Sequence, residues 1–268
     1  MILSFEWYVL KVYLLQLCYK FILYEGGNDG LLYIHFAHLI SEHLANGNFL
    51  EAFKGGEKAY DLMPFYRYTW ILNFILFNEA PLMFIIILTS FPLVIYSISE
   101  KILGQKWAIF FTFCWFFVPI FEAFGFFHFY YVKLAVRGFA EPLSYLCFFL
   151  SLTIILDLYK EKNRKDTFSE HLIIGFLFSL AIGLRANILP ATVIFILYAF
   201  YNNFKDANFK NICFLVLGLS TILIIPYHNF LFTGKFIPLT IAAYKEWNLG
   251  ATPGDYYSLI ISILSFNF

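Results

Sequence analysis

Four ionisable residues carry most of the chemistry this sequence could do: Asp29, Arg137, Glu141 and Arg185. Asp29 sits between Gly27 and Gly30, residues without side chains that let a backbone approach a ligand closely. Arg137 precedes Glu141 by about one helical turn, so a guanidinium and a carboxylate should face one cavity, an arrangement that suits an anionic head group held by Arg and oriented by the carboxylate. Arg185, in Arg185-Ala186-Asn187, supplies a second cation from another helix end. Two arginines converging above a bilayer make a site for a lipid phosphate. Glu79 and Glu122 are further acidic groups at helix ends, where an interhelical ion pair competes with a functional role.

These groups need a scaffold, and composition defines it. The 268 residues are 61% hydrophobic, 22% aromatic and 13% charged, with a mean hydropathy of +0.73. A soluble domain could not cover that much apolar surface. The expected fold is all-α: a polytopic transmembrane bundle forming a single membrane-embedded domain over 1–268. A net charge of zero argues against a nucleic-acid partner, which requires a basic excess on one face. Cys18, Cys114, Cys147 and Cys213 each stand alone in apolar runs, at neither metal-ligand nor redox spacing.

Crossing a bilayer takes about 20 apolar residues. Ile2–Leu23, Thr69–Ile98, Trp107–Phe127, Phe139–Tyr159, Leu172–Leu184 running on toward Pro190, Ala191–Tyr201 and Ile212–Pro226 give about seven spans. Basic residues gather in three turns (Lys101 and Lys106; Lys160, Lys162, Arg164 and Lys165; Lys205 and Lys210) that the span order places on one side. By the positive-inside rule that side is cytoplasmic, with the amino terminus. Residues 24–68, the 127–141 loop, the Arg185 turn and everything after Pro226 then lie on the outer side.

Residues 24–68 form a polar island between spans, and loops of that length usually have a role. Within it Leu31, Leu32, Phe36, Leu39, Ile40 and Leu44 recur at helical spacing opposite His35, His38, Glu42 and His43, predicting an amphipathic helix on the membrane surface. Gly47 should end it. A second short helix, Leu50–Lys54, should stop at Gly55-Gly56. The three histidines lack a matching Cys or Glu cluster, so a solvated helix face is preferred to a zinc site.

Taken in order, these pieces resemble the GT-C superfamily of integral-membrane glycosyltransferases, most of all the bacterial branch related to protein mannosyltransferases and aminoarabinose transferases. Asp29 falls where that family has an acidic pair in its first external loop, with Tyr33 following. Pro64-Phe65-Tyr66-Arg67-Tyr68 resembles its Pro-x-x-x-Tyr segment, and Glu141-Pro142 and Gly183–Pro190 resemble later membrane motifs. Pro226-Tyr227-His228-Asn229 through Gly234-Lys235-Phe236-Ile237-Pro238-Leu239 is similar to its Arg-Asn stretch. Two positions depart from the pattern: Gly30 replaces the second acidic residue, and His228 replaces the Arg.

The resemblance implies a membrane enzyme that moves a sugar from a polyprenyl-phosphate donor to an acceptor hydroxyl, with inversion. The acceptor would be a glycan, lipid or protein. Asp29 would be the general base. Arg67, Tyr66, Lys133, Arg137, Glu141, Arg185, His228 and Asn229 would bind substrate. No metal ligand set or other cofactor is assigned. The implied location is a bacterial inner membrane, with the active site extracytoplasmic. Family members are longer, and the apolar run Ser258–Phe268 is too short to cross, so the chain is expected to be incomplete at its C-terminus. The rival expectation is a polytopic transporter or a non-catalytic membrane scaffold. A transporter places charges near the midplane of repeated halves, whereas here they gather toward one surface and no internal repeat is visible.

Overall fold

A computed structural model describes residues 28–55, 64–77, 80–121, 125–160, 168–234 and 237–239. The expected span Ile2–Leu23, Glu79, Glu122 and Ser258–Phe268 lie outside the described residues. The fold is an all-α bundle. Among the described residues the only strands are a two-stranded antiparallel hairpin, β1 (Pro119–Phe121) with β2 (Gly125–Phe126).

The two helices expected within 24–68 are present as α1 (Asn28–Ala45) and α2 (Phe49–Lys54). Gly47 and Gly55 close the two helices at φ +74° and +77°, a left-handed turn that costs glycine nothing. The buried face of α1 is rotated from the expected one. Tyr33, Ile34, Phe36, Ala37 and Ile40 are buried, whereas Leu32 and Leu44 are exposed, because Tyr33 packs edge-on against Tyr66, at 5.0 Å between ring centroids. His35 and His38 are exposed on the opposite side.

The expected span Thr69–Ile98 is broken in the structure. It comprises α3 (Pro64–Phe77), α4 (Leu82–Leu88) and α5 (Phe91–Leu103). The bend between α3 and α4 is held by Asn73, whose side chain donates to Ala80 O at 3.0 Å and accepts from Met83 N at 3.2 Å. Between α4 and α5 Pro92 has no N–H to offer Leu88, so the ladder is interrupted for one turn. The run from Trp107 to Phe127 also divides: α6 (Gln105–Phe117) ends before Pro119, and the hairpin leads to α7 (Phe127–Val136).

The remaining helices are α8 (Glu141–Lys160), α9 (Phe168–Leu184), α10 (Leu189–Lys205), α11 (Phe209–Leu219) and α12 (Ile224–Thr233), with short 3₁₀ turns at Ala186–Ile188 and Ser220–Leu223. Pro226 falls in the first turn of α12, where its missing N–H is tolerated. The helix therefore runs on through His228 and Asn229, which the sequence had placed in an outer loop. Four segments are long and apolar enough to cross a membrane, Leu82–Leu103, Glu141–Tyr159, Ala186–Lys205 and Phe209–Thr233, and Phe168–Leu184 is a shorter apolar helix. This is the architecture of a multi-pass membrane protein.

Close packing between helices relies on small residues, as expected where lipid supplies no hydrophobic drive. α9 and α11 cross at Gly175 and Gly218. A Cβ added at Gly175 would meet Leu215 O at 2.4 Å, and one at Gly218 would meet Leu172 O at 2.3 Å. Ser179 donates across the same crossing to Leu219 O at 2.9 Å, and Ser144 ties α8 to α9 through Ala181 O at 2.8 Å. At one end of the bundle Lys101 pairs with Asp157 at 2.8 Å, and Asn203 donates to Tyr159 OH at 2.7 Å. The helix ends that flank the three basic turns thus share one end. The opposite end collects α1, α2, the start of α8 and the end of α9.

Candidate functional site

α7 ends in a Schellman turn, with Gly138 at φ +85° and Phe139 N bonded to Leu134 O at 3.0 Å. That turn swings the chain from α7 into α8, so Arg137 and Glu141 flank a helix-to-helix corner. They still meet. Both line a cavity of about 450 Å³, together with Tyr130, Tyr131, Leu134, Phe139 and Tyr145.

Glu141 is the first residue of α8, where the helix dipole favours a carboxylate, and Arg185 follows the last residue of α9, where it favours a cation. The two pair across the helix ends, with Arg185 Nη2 3.0 Å from Glu141 Oε1. Their side chains are 38% and 20% exposed, so solvent screens the pair and its net stabilisation is small. Oε2 of Glu141 is buried and accepts no hydrogen bond. Gly183 admits the ring of Phe65 beside this pair, since a Cβ there would meet Phe65 at 2.2 Å. The start of α3 therefore packs beneath the site.

Tyr66 is fully buried and donates to Ala135 O at 3.4 Å, in the last turn of α7. Burial pushes its phenol well above the ordinary value near 10, with Tyr33 and Glu141 adding to the rise. It is a neutral support behind the cavity.

Arg67, His228 and Asn229 are brought together elsewhere. Arg67 is fully buried, donates from Nη1 to Gly55 O at 2.9 Å and lies over the Phe36 ring at 5.0 Å. Burial lowers its guanidinium to about 10, still charged at neutral pH. Tyr68 OH donates to Phe53 O. His228 Nε2 lies 3.0 Å from Phe53 O and 3.1 Å from Lys54 O, so it carries the proton and donates to both. Three side chains from α3 and α12 thus capture the orphan carbonyls at the end of α2. Asn229 donates to Ile237 O at 2.9 Å and Leu239 O at 2.8 Å, holding the segment after α12. This clasp attaches α1 and α2 to the bundle, and none of its residues lines the cavity.

Lys133 is half-buried one turn before Arg137 and does not line the cavity either. Asp29 belongs to the first turn of α1, but its side chain lies outside the described residues. Of the residues expected to bind substrate, Arg137, Glu141 and Arg185 come together, with Tyr66 behind them. Tyr130, Tyr131 and Tyr145 are additions, and their signal was in the sequence: Tyr130, Leu134 and Arg137 are spaced i, i+4, i+7, and Glu141 and Tyr145 are spaced i, i+4. Compared with models of protein families, with curated proteins and with solved structures, the chain matches none.

Proposed function

We propose that the chain is a membrane glycosyltransferase that moves a sugar from a polyprenyl-phosphate donor to an acceptor hydroxyl on the extracytoplasmic side of a bacterial inner membrane. The observation that carries this reading is the cavity walled by Arg137 and Glu141, with Arg185 clamped to Glu141 at 3.0 Å. It combines a cation for an anionic group, a carboxylate held in place and aromatic faces, at the bundle end opposite the basic turns. The positive-inside rule makes that end extracytoplasmic.

In this mechanism the acceptor hydroxyl attacks the anomeric carbon while the lipid phosphate departs. Asp29 takes the hydroxyl proton as general base, worth roughly 10²- to 10⁴-fold. Arg137 stabilises the charge growing on the leaving phosphate. Arg185, already offset by Glu141, fixes the orientation of that carboxylate. Glu141, Tyr66 and the Schellman corner hold the cavity's shape. Charges placed at the helix ends, with a closed crossing of α9 and α11 through the bundle, support a transferase over a transporter.

The test is transfer from a radiolabelled polyprenyl-phosphate hexose by the full chain in proteoliposomes. Asp29→Asn should lower the rate by at least about 100-fold while leaving membrane insertion and monodispersity unchanged. Wild-type rates in this variant would remove Asp29 from the mechanism.

A further inference from the structure

Two hydroxyls at the cavity have no use in the fold. Tyr131 of α7 and Tyr145 of α8 both line it, with ring centroids 6.3 Å apart. Among the described residues neither hydroxyl has a hydrogen-bond partner, and neither is one of the buried polar atoms left without one, so both keep access to solvent. A tyrosine packed at a helix corner usually finds a partner for its hydroxyl. Here that partner must come from whatever fills the cavity.

Tyr131 is fixed by neighbouring rings, with centroids 5.5 Å from Phe91, 5.1 Å from Trp115 and 5.2 Å from Phe127. A donor on so rigid a ring loses little conformational entropy when it bonds a ligand. Burial pushes its phenol up to about 12, and the nearness of Tyr145 and Tyr130 adds to the rise. The hydroxyl therefore stays protonated and donates. The charge beside it is positive: Arg137 lines the cavity, whereas Glu141 is offset by Arg185 through Oε1 and its Oε2 is buried. A guanidinium flanked by phenolic donors suits an anionic oxygen, because hydrogen bonds to a charged acceptor are the strong ones.

We infer that Tyr131 and Tyr145 donate from their hydroxyls to the phosphodiester oxygens beside Arg137, so that one guanidinium and two phenols hold the donor's phosphate. This rests on the lipid-phosphate reading above. As the anomeric C–O bond breaks, its electron pair stays on the phosphate, and the same hydroxyls meet the added charge.

The test measures binding by the purified full chain in detergent with three probes: citronellyl methyl phosphate, a monoanion; citronellyl dimethyl phosphate, its neutral triester; and dimethyl phosphate, the same charged group without a tail. Wild type should bind the citronellyl diester about 30-fold or more tighter than the triester. Tyr131→Phe and Tyr145→Phe remove an oxygen and keep the ring, and each should lower that diester-to-triester ratio about fivefold. The same change at exposed Tyr198 on α10 should leave the ratio as it is. A packing role for the two cavity tyrosines would weaken both citronellyl probes alike and leave the ratio unmoved. The inference is overturned if either cavity variant keeps the wild-type ratio, and the lipid-phosphate reading survives that result. A cavity variant that fails to fold also overturns it, since its hydroxyl would then serve the structure. If wild type does not prefer the diester to the triester, both readings fall. If dimethyl phosphate binds as tightly as the citronellyl diester, the ligand is a free phosphate ester and the lipid donor is overturned.

Discussion

Arg67 and Arg185 are the same side chain at the same end of the bundle, and the fold uses them oppositely. Arg67 is fully buried, donates to the carbonyl of Gly55 that caps α2 and is covered by Phe36. Arg185 is partly exposed and meets a carboxylate at the edge of a cavity. An ionisable group in a membrane protein invites a functional reading, yet helix ends offer it another use, because the last carbonyls of a helix lack partners of their own. The difference lies in what the guanidinium faces. A carbonyl and a ring make a clasp, and a carboxylate beside open space makes a site.

The sharpest way to break this contrast is to delete one cation from each region. Arg137→Ala should lower transfer per folded molecule by about 10²- to 10³-fold, the effect of removing one donor aimed at developing charge, whatever its effect on thermal unfolding. Arg67→Met should do the reverse. It should cost about 3 kcal/mol of stability, from lost packing and an orphaned Gly55 carbonyl, while the activity per folded molecule holds. If Arg67→Met instead abolished activity in a fully stable protein, the clasp would be part of the site.

A smaller effect is expected at His228. Replacement by Leu leaves Lys54 O without its donor, although Tyr68 still serves Phe53 O. The loss should be about 1–2 kcal/mol in thermal unfolding, again with little change in turnover per folded molecule.

The smallest effect is on pH dependence at His128. Trp115 Nε1 donates to His128 Nδ1 at 3.0 Å, which requires a neutral ring, and burial lowers the imidazole from 6.5 to about 4. Protonation therefore favours the unfolded chain. The contribution is fully present above roughly pH 6.5 and is lost as pH falls toward about 4, amounting to about 1 kcal/mol between roughly pH 7.5 and 5.5. Wild type minus His128→Gln, compared by unfolding at both pH values, should show that slope. Parallel curves would assign it to another group.

The all-α character, the helices α1 and α2 and the glycines that end them were legible because apolar periodicity and left-handed turns are local properties. The break within Thr69–Ile98 was not, since the apolar run is nearly continuous and the bend depends on Asn73 reaching Ala80 and Met83. The site divided in the same way. Arg137, Glu141 and Arg185 could be read as helix-end charges, and two of the three sit where a dipole favours them. Arg67 and His228 could not be sorted from them. Their partners are the carbonyls at and just past the end of a six-residue helix, 12 residues from Arg67 and about 175 from His228, and nothing near either residue in the chain announces that contact.

The glycine contact between α9 and α11 bears on how the molecule could work. With each Cβ position already filled by the opposite backbone, the two rods cannot slide or roll past one another without collision, so they form a keel. On the proposed reaction, a long hydrocarbon tail would then enter by the other flank, where α6 and the β1–β2 ribbon border the aromatic stack around Tyr131. Cross-linking α9 to α11 should leave catalysis intact, while pinning α6 to α7 should stall it.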